Sequence, residues 1–176
     1  MGDPKKQRKK YESPRFPWSI TELTSELKLV GEYGLRNKRE LRRHRYTVSK
    51  YRTLARQLLA MSDEARSKLE NQLLNKLQSI NLITENAGLE AVLDLSVAGI
   101  LERRLQTLVF RNGLARTPQQ ARQQVVHGHI SIGNRKITSP SYIVSRDEEL
   151  DVHFTPTSFF AKTESDSVME QEVTSK

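Results

Sequence analysis

The chain has 176 residues, a formal net charge of +8, and 36% hydrophobic residues, enough for one domain of ordinary size but not for a core along the whole length. Cysteine is absent, which excludes disulfide bonds, thiolate metal ligands and a cysteine nucleophile. No apolar run approaches the roughly 18–20 residues that cross a bilayer, and no apolar stretch follows the charged N-terminus as in a secretory signal. We therefore expect a soluble, intracellular, cytoplasmic protein.

The positive charge is unevenly distributed. Residues 1–60 hold 16 Lys and Arg against 6 Asp and Glu, residues 61–100 hold 3 against 6, residues 101–140 hold 7 against 1, and residues 141–176 hold 3 against 8. Two basic blocks separated by an acidic one favour a polyanionic partner such as a nucleic acid. The alternative, an acidic membrane surface, would require a basic amphipathic helix with aromatic or leucine residues on its apolar face, and Trp18 lies outside any such helix.

The N-terminal region is predicted to be an extended arm followed by a helix. Residues 1–18 combine Lys and Arg with three prolines and show no apolar period, which is typical of an arm that orders only against a partner. Ser19 followed by Glu22 is a capping-box pattern, and Gly34 is a plausible helix end. Between them an apolar stripe is predicted at Leu23, Leu27 and Val30.

A second helix is predicted after Asn37, where Glu40 repeats the capping pattern. Its sequence, KRELRRHRYTVSKYRTLARQLL, is rich in Lys and Arg and has few apolar positions before Leu54, so burial alone cannot stabilise it. Five arginines within residues 36–45 favour a helix that lies along phosphates, and a solvated surface helix is the alternative. The candidate phosphate-binding residues here are Arg36, Lys38, Arg39, Arg42, Arg43 and Arg45.

The middle of the chain is interpreted as packing structure and the C-terminus as a tail. Apolar residues recur at helical spacing at Leu69, Leu73, Leu77 and Ile80. A short helix containing Leu89 and Leu93 follows, and Ser96 is expected to cap the next helix. After residue 157 the periodicity is lost and acidic residues accumulate, which predicts a disordered acidic tail.

A helix predicted to begin near Val97 would have one buried and one cationic face. At 100° per residue, the apolar residues Leu101, Leu105, Leu108 and Val109 fall within about 100° of arc, the width of an ordinary core face. Arg104 and Arg111 are seven residues apart and therefore share the opposite side, with Thr107 between them. The Asn112-Gly113 pair is expected to end this helix.

A further helix and a hairpin are predicted next. Thr117 would cap the helix, with Pro118 in its first turn. Ala121 and Val125 would face the core, and the other side would present Gln119, Gln120, Gln123 and Gln124. Gly128 would end the helix. HISI and RKI would then pair across a Gly-Asn turn, and SYIV and ELDVHF could supply further strands.

At this point the residues match a known pattern. The stretch ERRLQTLVFRNGLARTPQQARQQVVHGHISIGNRKITSPSYIV resembles the RNA-binding domain named after the S-four family of small-subunit ribosomal proteins, almost without gaps over about residues 100–150. Upstream, YESPRFPW and EYGLRNKRELRR resemble the archaeal and eukaryotic branch of that family, which extends the resemblance to most of the chain. One departure is Ile-Gly-Asn at residues 132–134, where many members have Val-Asn-Gly; it alters the turn and leaves binding intact.

The resemblance implies a two-helix plus β-hairpin module whose polar face lies on structured RNA. Carried over by position, the RNA-facing candidates are Arg103, Arg104, Arg111, Arg116, Thr117, Gln120, Arg122, Gln123, His127, His129, Arg135, Lys136 and Ser141. Some relatives carry zinc-binding cysteines, which this chain lacks, so no metal or other cofactor is implied. Arg103 could instead hold a helix end or pair with the neighbours of Glu102, and Arg122 could pair with the acidic RDEEL segment. His127 and His129 suggest a metal site, but they have no further Cys or acidic partner nearby, so hydrogen bonds to backbone or phosphate are expected.

The predicted fold class is α+β. We expect an extended basic arm (1–18), a helical N-terminal region (19–95), a compact RNA-binding domain (96–157) and an acidic disordered tail (158–176). The function implied is a non-catalytic component of the small ribosomal subunit that binds its RNA directly, touches neighbouring ribosomal proteins, helps nucleate assembly and maintains decoding accuracy. No membrane or small-molecule partner is expected.

Two other functions are alternatives to this one. The first is an RNA-modifying enzyme with this domain as an appendage; it would need a catalytic domain of well over 100 residues, and residues 1–95 contain no phosphate loop, nucleotide fingerprint or paired-carboxylate pocket. The second is a non-ribosomal RNA-binding factor in small-subunit precursor processing, against which the family-like N-terminal segments argue.

Overall fold

The computed structural model describes Gly2 and residues 9–84 and 87–161. The chain forms two compact units, one comprising Met1–Leu77 with Leu82–Leu101, the other Gln78–Asn81 with Glu102–Lys176. In chain order the helices and strands are α1 (Ile20–Glu32), α2 (Lys38–Leu59), α3 (Asp63–Ser79), α4 (Leu89–Leu93), α5 (Val97–Glu102), α6 (Leu105–Arg111), α7 (Pro118–Val126), β1 (Ile130–Ile132), β2 (Arg135–Lys136) and β3 (Val152–Phe154). The predicted α+β class is confirmed.

The helix ends of the first unit follow most of the predicted capping signals. Asn37 caps α2, because its side chain accepts a hydrogen bond of 3.0 Å from the backbone N–H of Glu40. Gly34 follows α1 with φ of 58°, a conformation that glycine adopts without steric cost. Ser19 is different: it precedes α1 without a side-chain cap bond, and its hydroxyl is 2.9 Å from that of Thr21. The predicted capping box at Ser19 is therefore wrong.

Helix α1 buries a charged residue where an apolar stripe was predicted. Leu27 is 58% exposed, whereas Glu26 is only 1% exposed. The physical reason is that Glu26 forms ion pairs with cations of α2, and this attraction selects the face that packs. The local core is formed by Tyr33, Leu35, Leu41 and Leu101, and Val30 of the predicted stripe packs against it.

Helix α2 has the bounds predicted for it and a narrow apolar stripe. Leu41, Val48 and Ala55 are seven residues apart and buried, and Leu58 continues the stripe. Side chains at this spacing lie along one line of a helix, so a largely cationic helix still packs against α1 and α4. Leu54, in contrast, is more than a third exposed. No helix in the described part of the chain is long and apolar enough to cross a membrane.

The second unit packs α6 and α7 against a three-stranded antiparallel sheet. The strand order is β2-β1-β3, and β1 pairs with β2 through the predicted Gly133-Asn134 turn, with Ile132 opposite Arg135. The ELDVHF segment supplies β3, whereas SYIV contributes a single bridge between Ile143 and Arg104. Fully buried core residues include Leu105, Val109, Ala121, Val125 and Ile130.

The single helix predicted near Val97 is two helices, α5 and α6, with a break at Arg103 and Arg104. Arg104 has an extended backbone, with φ −76° and ψ 140°. Hydrogen bonds to the segment at residues 142–144 explain the break: the N–H of Leu105 donates to the carbonyl of Tyr142 at 2.8 Å, and the N–H of Val144 donates to the carbonyl of Arg103 at 3.0 Å. Periodicity across residues 97–111 therefore predicted the wrong direction for the residues at the break.

The start of the predicted acidic tail belongs to the second unit. Ser158 is buried and its Oγ is 3.0 Å from Nδ1 of His129. The ring of Phe160 stacks on that of Phe154, with 5.7 Å between centroids. The tail prediction is therefore wrong for residues 158–161, and residues 162–176 lie outside the described residues. In the predicted arm, residues 9–18 form no helix or strand, and residues 3–8 are also outside the described ranges.

Candidate nucleic-acid interface

The predicted RNA-binding residues divide into exposed, paired and buried groups. Among these predicted residues, five exposed cations have no acidic side-chain partner in residues 9–84 and 87–161: Arg36, Arg39, Arg43, Arg116 and Lys136. Of these, Arg39 lies over the ring of Tyr11, with 5.7 Å from its guanidinium carbon to the ring centroid. Exposed guanidinium and ammonium groups are the side chains that bind RNA phosphates.

Three candidates on α2 converge on one buried carboxylate. Glu26 lies 3.3 Å from Nζ of Lys38, 3.4 Å from Nε of Arg42 and 3.5 Å from Nη1 of Arg45. Burial raises the pKa of Glu26, but hydrogen bonds and positive charge from Arg42 and Lys38 outweigh that effect and leave the pKa below its ordinary value. The cations themselves are a fifth to a third exposed, so part of each remains accessible to RNA.

Arg111 is exposed as predicted, but it is paired. Its Nη2 donates to Oε1 of Glu102 at 2.8 Å and its Nε donates to Oε2 at 3.2 Å. This bidentate arrangement is the one that guanidinium groups also form with phosphate. The guanidinium side chain is 51% exposed, so the pair lies at the surface.

Arg135 forms a second surface pair. Its Nη2 donates to Oε1 of Glu148 at 2.7 Å. The Tyr142 hydroxyl donates to the same carboxylate at 2.9 Å, and the backbone N–H of Ser145 donates at 3.2 Å. Tyr142 is partly buried, packs against the core and anchors this carboxylate.

Arg103 and Arg104 are not on an outward ridge, contrary to the prediction. Arg104 is 1% exposed, because the extended backbone at the break turns its side chain inward. Arg103 is also buried, and its Nη1 donates to Oε2 of Glu149 at 2.8 Å. Both arginines thus belong to the interior of the second unit.

The start of α7 is organised by a reciprocal pair of hydrogen bonds. The hydroxyl of Thr117 accepts from the N–H of Gln120 at 3.1 Å, and the side chain of Gln120 accepts from the N–H of Arg116 at 2.9 Å. Threonine and glutamine three residues apart resemble a capping box, a signal present in the sequence but not used for Gln120. Gln120 therefore holds the backbone of Arg116, whose side chain is exposed.

Other α7 candidates have mixed surroundings. Gln123 is exposed as predicted, but Gln124 is buried and donates to the carbonyl of Leu114 at 3.2 Å, so the prediction that it covers the outer side is wrong. Arg122 is partly buried and donates to the side chain of Gln106 at 3.3 Å. In the RDEEL segment, Glu149 pairs with Arg103 and Glu148 pairs with Arg135.

The hairpin side of the candidate surface holds Lys136, two histidines and Ser141. Gly128 has φ of 75°, and a Cβ there would overlap the side chain of Lys136, so glycine permits this lysine to lie across the backbone. His127 is exposed and follows α7, whereas His129 is partly buried and bonded to Ser158. Ser141 is exposed, with its hydroxyl 3.3 Å from that of Ser139. No group of metal-ligating side chains occurs in the described residues.

Comparison with known proteins gives a consistent result. Residues 103–150 match the family model of the S4 domain. The chain is 51% identical to the small ribosomal subunit protein uS4 of Hyperthermus butylicus over 98% of each chain. It is 53% identical to uS4 of Metallosphaera sedula, covering 91% of this chain and 89% of that protein, and 51% identical to uS4 of Ignicoccus hospitalis, covering 92% and 98%. The chain therefore belongs to the uS4 family of small ribosomal subunit proteins, as the sequence resemblance predicted.

Proposed function

We propose that this protein is a structural component of the small ribosomal subunit that binds small-subunit ribosomal RNA directly. It acts in the cytoplasm without catalysing a reaction, contacts neighbouring ribosomal proteins, helps nucleate assembly and supports decoding accuracy. The observation that carries the proposal is family membership over nearly the full chain, together with exposed cations at the start of α7 and on the hairpin. The S4 domain holds Arg116 and Lys136 outward, where phosphates can reach them.

The physical mechanism is multipoint contact with phosphates. Double-stranded RNA has a deep, narrow major groove that side chains cannot read, so a compact protein recognises RNA shape, phosphates and 2′-hydroxyls. Each Lys or Arg that neutralises a phosphate releases a condensed counterion, and affinity falls as salt rises. The exposed cations on α2 and on the S4 domain would contribute to this term. Exposed Gln123 and Ser141 would donate or accept neutral hydrogen bonds.

Binding of the full chain to RNA tests this proposal. Small-subunit ribosomal RNA and a large-subunit fragment of equal length are titrated with the protein at several salt concentrations. We expect tighter binding to the small-subunit RNA and a steep loss of affinity with salt. Equal affinity for both RNAs would contradict the proposal.

Association with mature subunits separates a ribosomal component from a processing factor. The protein is expected to co-sediment in stoichiometric amount with small subunits washed at high salt. Recovery on precursor particles alone would instead indicate a role in subunit maturation.

A further inference from the structure

Two exposed arginines of the S4 domain are occupied by the protein's own carboxylates. The carboxylate of Glu102 accepts hydrogen bonds from both Nε and Nη2 of Arg111, and that of Glu148 accepts one from Nη2 of Arg135. Carboxylate and phosphate use the same planar edge of a guanidinium group. An RNA phosphate that binds the Nε–Nη2 edge of Arg111, or Nη2 of Arg135, must therefore displace a carboxylate.

Displacement is feasible because both pairs lie at the surface. The side chain of Arg111 is 51% exposed and that of Arg135 is 70% exposed. Exposed ion pairs of this kind contribute little to stability, since water competes for both partners. The pairing between Arg103 and Glu149 is different, because the Arg103 side chain is only 8% exposed and removal of its partner would leave a buried charge.

Glu148 is held in place by contacts other than the one with Arg135. The Tyr142 hydroxyl and the Ser145 N–H hold the carboxylate. Burial raises the pKa of Glu148, but these hydrogen bonds and the charge of Arg135 outweigh burial and keep the pKa below its ordinary value. A fixed negative charge therefore remains beside the arginine at neutral pH and repels an approaching phosphate.

We propose that Glu102 and Glu148 compete with RNA phosphates for Arg111 and Arg135 and so lower the affinity of the S4 domain for RNA. This inference rests on the proposed RNA-binding function. An RNA that places a phosphate at either arginine replaces the carboxylate there. An RNA that places no phosphate at the arginine leaves the ion pair intact and gains no affinity from that arginine.

Neutral variants of the two glutamates test the inference. Glu102→Gln and Glu148→Gln are titrated with small-subunit ribosomal RNA at several salt concentrations, and thermal unfolding checks that each variant is folded. Each is expected to bind about two- to fivefold more tightly than wild type, the range of an exposed ion pair. Each should also have a steeper salt dependence, since the arginine neutralises a phosphate more completely.

The matched control is Glu70→Gln. It changes the net charge equally and removes a partly exposed pair, Glu70 with Arg66 on α3 at 2.9 Å, in the first unit. Its affinity for RNA is expected to stay within twofold of wild type. An equal gain for Glu70→Gln would attribute the effect to net charge and overturn the inference.

A double substitution identifies the arginine through which Glu102 acts. The gain from Glu102→Gln should vanish in an Arg111→Ala background, because no guanidinium remains for the two anions to share. A gain that persists would mean general repulsion and overturn the inference. If the wild type binds RNA and both Gln variants have the same affinity as the wild type, the inference is overturned but the proposed function is not. A wild-type protein that does not bind small-subunit RNA would overturn the proposed function.

Discussion

Two regions of this protein place carboxylates against cations, and they differ in burial. In the first unit, Glu26 is 1% exposed and receives three cations from α2. In the second unit, Glu102 and Glu148 are partly exposed, and the arginines with which they pair are at least half exposed. A buried charge that loses its partners is strongly destabilising, whereas an exposed pair exchanges partners at little cost. Similar pairs therefore stabilise the α1–α2 packing in one region and compete with ligand in the other.

Substitution of Glu26 is predicted to reduce stability more than substitution of either exposed glutamate. Glu26→Gln should lower the free energy of unfolding by about 2–3 kcal/mol, because charge-assisted hydrogen bonds to a buried acceptor are lost. Glu102→Gln should lower it by less than about 1 kcal/mol. Chemical denaturation of both variants measures the difference. Equal losses would mean that burial does not distinguish the two regions.

A second contrast lies within the S4 domain, between a buried and an exposed arginine. Arg104→Ala should lower the free energy of unfolding by about 2 kcal/mol, because its stem packs in the interior. Arg111→Ala should cost less than about 1 kcal/mol of stability but weaken RNA binding several-fold. Denaturation and RNA titration of both variants separate the two roles. A folded Arg104→Ala protein with weaker RNA binding than Arg111→Ala would contradict this assignment.

Stability is also predicted to depend on pH through Glu26. The folded pKa of Glu26 is depressed, so its ionised form contributes stability that is present above the unfolded pKa of about 4.3 and is lost as pH falls through the folded pKa. Wild type and Glu26→Gln should therefore converge in unfolding temperature as pH is lowered from 7 to 3. A constant difference across this range would show that the charge of Glu26 does not stabilise the fold.

Sequence patterns predicted the positions of helices, caps and turns more accurately than they predicted which way the side chains point. The bounds of α2, the caps at Asn37 and Thr117 and the Gly133-Asn134 turn depend on local chemistry, and local sequence contains that information. The orientation of Arg104 depends on hydrogen bonds to residues 142–144, about 40 positions away along the chain. A helical plot assumes an unbroken helix and therefore placed this arginine on the wrong face.

Sequence patterns also could not predict which carboxylate pairs with which cation. Glu26 is 12 to 19 residues from its cations, and Glu148 is 13 residues from Arg135. Charge counts identified the basic blocks but could not assign each acid to a cation, because ion pairing is decided by tertiary packing. The exposed candidates Arg116 and Lys136 were predicted correctly as surface residues, because a capped helix start and a tight hairpin fix them locally.

The salt dependence of RNA binding measures whether exposed cations of the S4 domain bind the phosphates of ribosomal RNA. The affinity of the Arg116→Ala/Lys136→Ala double variant for small-subunit RNA is compared with that of wild type. The control is Lys28→Ala/Lys68→Ala, which removes two exposed charges of the first unit. We predict weaker binding and a log-affinity against log-salt slope shallower by about 1.5 for the S4-domain variant, with the control close to wild type. Equal changes in both variants, or none in either, would contradict the account.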